Sequence, residues 1–158
     1  MATPGGAMIF KSRWVAEDYW GCGDRPTLAP DLRRVLNDAD NWHREVAGKP
    51  MMVTNVFEKP AGSHTNTHPE GRAVDCRVAC IGTGGTIDHY LTDAQARLLE
   101  VYINGRWATR GLSCSGQALR VLVVHADPRT GLLHGHFQVG PTREAFVRAG
   151  MENQILFV

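Results

Sequence analysis

Residues 65–78 read TNTHPEGRAVDCRV, and how this stretch is read decides the fold. A polar, turn-rich segment carrying His68 and Gly71 runs directly into an alternating segment carrying Asp75. In AVDCRVACI, Val74, Cys76, Val78 and Cys80 share one face of a strand, and Ala73, Asp75, Arg77 and Ala79 share the other. Gly71 suits a tight turn that returns His68 over Asp75, and Ala73 leaves room beside that carboxylate. His68 and Asp75 are therefore candidate metal ligands.

The rest of the chain supplies a third. LLHGHFQV, residues 132–139, reads as the last clear strand. His134 and His136, two apart, project from one face, and Leu133, Phe137 and Val139 from the other. If both strands belong to one sheet, His68, Asp75 and His136 converge. Three protein N/O ligands with one open position form the pattern of a catalytic zinc. Such a site activates water, and a base must then accept its proton. His134, one strand step from His136, is placed for that or for steadying an oxyanion.

Between these segments the pattern is that of a single α+β domain spanning residues 1–158. Leu32, Val35, Leu36, Ala39, Trp42, His43 and Val46 recur at helical spacing, with Pro30 in the first turn and Gly48 and Pro50 at the end. MMVTNVF, residues 51–57, reads as a strand and residues 58–71 as a long polar loop. Thr92 can cap a second helix running through about Gly105, and ALRVLVVH, residues 118–125, reads as a buried strand. Residues 1–28 show no clear periodicity and form an N-terminal extension in which WVAEDYWGCGDRP, residues 14–26, can pack by its three aromatics, Trp14, Tyr19 and Trp20.

Composition sets the outer limits. Seventeen basic and 16 acidic residues give a net charge of +1 with no concentrated basic stripe, which argues against a nucleic-acid partner. No apolar run is long enough for a signal peptide or membrane span, so a cytoplasmic, monomeric protein without a membrane partner is expected. Cys22, Cys76, Cys80 and Cys114 form no CxxC pair, and alternation places Cys76 and Cys80 in the core. Of the remaining polar residues, His125 reads as a strand-end residue and His64 as a loop-rim residue. Arg77 and Gln138, on the ligand faces, read equally as partners of the site or as surface residues.

HPEGRAVD followed much later by HGH resembles the HxxGxAxD…HxH signature of zinc DD-peptidases and their Hedgehog-type relatives. The resemblance covers roughly residues 51–139. It implies a central antiparallel sheet with helices on one face and a Zn2+ site on the other, held by His68, Asp75 and His136. It also implies hydrolysis of a peptide bond in bacterial peptidoglycan stem peptides, as in D-Ala-D-Ala carboxypeptidases and phage L-alanyl-D-glutamate endolysins. A phage-type endolysin would wait in the cytoplasm until host lysis and then act on the cell wall. Relatives carry a substrate-binding arginine after the first strand, where this chain has NVFEKP and Lys59; residues 130–133 also lack the carboxylate base of many relatives. The base is then His134, with His125 and Asp127 as rivals. The alternative is a catalytically inactive zinc-bearing binding or virion structural module of the same fold.

Overall fold

The computed structural model describes residues 8–21, 27–58, 67–81, 87–107, 120–126 and 133–140. The chain runs β1 (Ile9–Phe10), α1 (Arg13–Trp20), α2 (Pro30–Ala47), β2 (Met52–Asn55), β3 (Ala73–Arg77), β4 (Ala79–Ile81), β5 (Ile87–Tyr90), α3 (Asp93–Arg106), β6 (Leu122–Ala126) and β7 (Leu133–Gln138). Five strands form one sheet in the order β1-β2-β3-β7-β6, and β4 and β5 pair separately. It is a mixed α+β fold.

The helices end where their sequences say they should. Pro30 opens α2, and Gly48 at φ 75° closes it by donating to the Arg44 carbonyl at 2.8 Å. Leu32, Val35, Leu36, Ala39 and His43 make its buried stripe. Thr92 and Gln95 form a reciprocal capping box on α3: Gln95 N–H donates to Thr92 Oγ1 at 3.1 Å, and Thr92 N–H to Gln95 Oε1 at 2.9 Å.

Both helices contribute to a core shared with one face of the sheet, where Val53, Val74, Cys76, Leu122, Val124 and Phe137 are buried with Leu32, Leu36, Ala39, Leu99 and Ile103. Burying an aliphatic side chain of this size stabilises by roughly 1.5–3 kcal/mol. Asp40 ties α2 to the sheet, accepting from Met51 N–H at 2.8 Å and pairing with Arg44 at 2.7 Å. By strand alternation the opposite face of β3 and β7 carries Asp75 and His136, which stand directly opposite each other.

Three features differ from the sequence reading. The expected antiparallel sheet is mixed, because β1 runs parallel to β2 at its edge; two residues, Ile9 and Phe10, are too few to show an alternation. The N-terminal extension contains a helix, α1, which escapes periodicity because Tyr19 is its sole buried residue. Phe10, Tyr19 and Trp20 stack edge to face at 4.9–6.3 Å, with the Arg33 guanidinium over the Tyr19 and Trp20 rings. Finally, AVDCRVACI is two strands rather than one. At Val78 the backbone leaves the main sheet: its N–H donates to the Leu133 carbonyl and its carbonyl accepts from Leu91 N–H, both at 3.4 Å. β4 then belongs to the second sheet.

Candidate metal centre

Four elements bring three side chains together. Asp75 and His136 come from neighbouring strands in direct register. His68 comes from the turn before β3, and Gly71 makes that turn possible. Its φ of 72° is one that residues with a Cβ rarely adopt, and a Cβ there would stand 2.9 Å from the Thr27 carbonyl oxygen. Gly71 N–H donates to the His68 carbonyl at 3.0 Å, and Arg72 N–H to the Thr67 carbonyl at 2.8 Å. Arg72 then locks the turn to the end of β7, its guanidinium donating to the Val139 carbonyl at 2.8 Å and its own carbonyl accepting from Val139 N–H at 2.9 Å.

The fourth contribution is from β2. Its pairing with β3 shifts register between Val53 and Asn55, so that Asn55 faces Asp75. Asn55 Nδ2 donates to Asp75 Oδ2 at 3.2 Å and to the Glu58 carbonyl at 2.8 Å. The next residue, Val56, presents its carbonyl to His68 Nδ1 at 2.7 Å.

These hydrogen bonds fix which atoms remain for a ligand. His68 Nδ1 must carry a proton to donate to Val56, so the Nε2 of the neutral ring presents a lone pair. Gln138 Nε2 donates to the Arg120 carbonyl at 2.7 Å, which turns Gln138 Oε1 toward His136 Nε2 at 3.1 Å. His136 Nε2 is then the donor, and Nδ1 of the neutral ring is the lone pair, 2.9 Å from Asp75 Oδ1. His68 Nε2 lies 3.3 Å from the same oxygen, is buried and makes no hydrogen bond.

Two imidazole lone pairs and a carboxylate oxygen thus face one another, their ligand atoms all within 4.8 Å. Such a set repels itself unless a cation sits among the three groups or the rings take up protons. The edge of a tetrahedron with zinc-ligand bonds of about 2.0–2.2 Å is about 3.3–3.6 Å, close to the His68–Asp75 spacing of 3.3 Å. His68, Asp75 and His136 therefore fit a divalent metal ion.

The electrostatics agree. Burial alone would raise the Asp75 carboxyl, but without a cation among the three groups it is the protonated forms of His136 and His68, by hydrogen bond and charge, that hold it well below the usual carboxylate range. Burial alone would lower His68, yet Asp75 and the Val56 carbonyl bring it above the usual imidazole value. Cys76 stays out of the site. Its side chain is fully buried on the core face, and burial pushes its thiol well above the usual value, so it offers no thiolate.

The sequence-selected neighbours are placed as follows. His134 sits on β7 opposite Arg77 on one side and His125 on the other, and the His134 and His125 rings lie 3.9 Å apart. Arg77 makes no ion pair with Asp75 among the described residues; Asn55 takes that place. Gln138 is a partner of the site through His136. Lys59, His64 and Asp127 lie outside the described residues, as do Cys22, Cys114 and the side chain of Cys80. Asn55 and the Val56 carbonyl escaped sequence reading, because a register shift, which leaves no residue signature, aims them at the site.

Fold and site together define an α+β protein with a two-histidine, one-carboxylate candidate metal centre. No family model matches the chain, and neither curated proteins nor solved structures give a match.

Proposed function

We propose that the protein is a zinc metallopeptidase with the fold of the DD-peptidase and Hedgehog-type family, hydrolysing a peptide bond in bacterial peptidoglycan stem peptides in the manner of a phage endolysin. The observation that carries this reading is the buried, hydrogen-bond-free His68 Nε2 facing Asp75 and His136, whose remaining ring nitrogens are committed elsewhere. The HPEGRAVD and HGH motifs add the family resemblance. Two nitrogens and a carboxylate suit zinc, which when bound supplies a Lewis acid and makes water nucleophilic near neutral pH.

The chain's own residues divide the remaining work. Val56 and Gln138 hold the two ring tautomers, and Asn55 holds the carboxylate. His134, on the same face as His136, accepts a proton during attack and returns it to the leaving amine. No helix among the described residues is long and apolar enough to cross a membrane.

The test is turbidity of outer-membrane-stripped bacteria after adding protein, followed by mass spectrometry of the released peptidoglycan fragments. The expected result is clearing, with a new amine terminus in the stem peptide. Stoichiometric zinc without any cleavage would replace this reading with the catalytically inactive module.

A further inference from the structure

Strand register lays the site face out in rungs. One rung carries Asn55, Asp75 and His136. Two residues along β3, the neighbouring rung carries Arg77, His134 and His125, each the direct cross-strand partner of the next. Rungs two residues apart are separated by roughly 6.6 Å. The second rung therefore lies within two peptide units of whatever reacts at the first.

Arg77 is the unusual member. It is half-buried, yet it has no hydrogen-bond or ion-pair partner among the described residues. Every other described arginine is paired. Arg13, Arg34, Arg44, Arg97, Arg106 and Arg120 meet carboxylates, Arg33 meets a backbone carbonyl, and Arg72 meets both. Among the described residues, then, Arg77 alone leaves its guanidinium open, and it does so beside the candidate metal centre.

We propose that Arg77, on the rung shared with His134 and His125, binds a carboxylate of the substrate one rung from the reacting bond. The proposal rests on the peptide-hydrolysis reading of the adjacent centre. The guanidinium fork matches a carboxylate bidentately, and partial burial strengthens the pair over one in open water. In a stem peptide that carboxylate is either the α-carboxylate of the γ-linked glutamate or the chain's C-terminus.

The test is calorimetric titration of the full chain, in chelator to prevent turnover, with three synthetic stem tetrapeptides. One is unmodified, one amidated at the glutamate α-carboxylate and one amidated at the C-terminus. The unmodified peptide is expected to bind about 10-fold or more tighter than one amidated form, which identifies the carboxylate. Arg77→Met, which keeps the aliphatic stem, should erase that preference, and Arg77→Lys should restore part of it. Equal affinity for all three peptides, no binding of any, or full discrimination by Arg77→Met would each overturn the proposal. Cleavage of peptidoglycan by zinc-loaded protein is read separately. Cleavage without carboxylate preference sinks this inference alone, and preference without cleavage sinks the hydrolytic reading alone.

Discussion

Gln138 reaches His136 Nε2 with its Oε1 at 3.1 Å while its amide nitrogen donates to the Arg120 carbonyl at 2.7 Å. That second bond matters most, because only the nitrogen end of the Gln138 amide can donate to a carbonyl, which settles that the oxygen end faces the ring. The ring is thereby held with Nδ1 toward Asp75. Replacing Gln138 with Leu should weaken zinc binding by roughly 10–100-fold, the usual effect of losing such an outer partner. Gln138→Glu keeps an acceptor for His136 Nε2 and should bind zinc more tightly than Gln138→Leu does. Competition with a chromophoric chelator measures both, and ring-nitrogen NMR shifts report the tautomer. Unchanged affinity in Gln138→Leu would remove the tautomer argument.

The cluster of His68, Asp75 and His136 should hold one zinc per chain in protein purified without chelator. His68→Ala and His136→Ala should each lose most of it by elemental analysis. Stripping the metal should leave the helical circular dichroism in place, since the core of α2, α3 and the sheet lies on the other face. Binding to the folded state alone stabilises by about 2.7 kcal/mol at a hundredfold excess over Kd, so chelation should lower Tm by roughly 5–10 °C. Full zinc content in both variants would place the site elsewhere.

Cys76 and Asp75 are adjacent in sequence yet face opposite ways, and the thiol is fully buried among apolar groups. Cys76→Ala should cost on the order of 1 kcal/mol in denaturant unfolding while leaving zinc content intact. Loss of zinc from a folded Cys76→Ala variant would reverse the face assignment.

The convergence of His68, Asp75 and His136 was legible in the sequence because each carries a local signal. Gly71 marks the turn beneath His68, alternation fixes the faces of Asp75 and His136, and two-residue spacing links His134 to His136. The main helices were legible for the same reason, through Pro30, Gly48 and Thr92 at their ends and a regular buried stripe between. What stayed hidden depends on contacts distant in sequence. Asn55 and the Val56 carbonyl reach the site through a register shift, and α1 is held by the single buried Tyr19 and its aromatic neighbours. The break at Val78 is invisible to alternation, since the side chains keep alternating up to the point where the backbone changes sheets.

Glu100 fastens α3 to β6. Its carboxylate accepts from Val124 N–H at 2.7 Å and pairs with Arg120 at 2.7 Å and Arg97 at 3.2 Å. Burial would raise its carboxyl, but the Val124 bond and the two arginines bring it below the ordinary value of 4.5. A carboxyl lowered in the folded state stabilises above its unfolded value, and that stabilisation is lost as pH falls through the lower folded value. Glu100→Gln should therefore be less stable than wild type at pH 7, with the difference shrinking below about pH 4. Urea unfolding at a series of pH values checks this, and a difference that grew on acidification would contradict it.

His134 is expected to act in catalysis without being needed for metal binding. It shares a face with His136 but stands on the next rung, opposite Arg77 and His125 rather than Asp75. It lies outside the group whose ligand atoms converge within 4.8 Å. Three protein ligands already leave zinc an open position, so removing His134 should not empty the site. A positioned acid–base group contributes roughly 10²–10⁴-fold in rate, and His134→Ala should lose about that factor on purified peptidoglycan while keeping zinc and fold. Gly135, between the two histidines, faces the core, where an added Cβ would come within 2.9 Å of Leu122 Cδ1. Gly135→Ala should shift β7 and lower activity with both histidines still present, which separates displacement of the strand from loss of the imidazole. His125→Ala should lose much less, because His125 is exposed and meets the His134 ring from the outer strand. Asp127→Ala should likewise lose little. Near-normal turnover in His134→Ala would remove its assigned role, and a loss in His125→Ala or Asp127→Ala as large as that expected for His134 would move the proton acceptor to that residue.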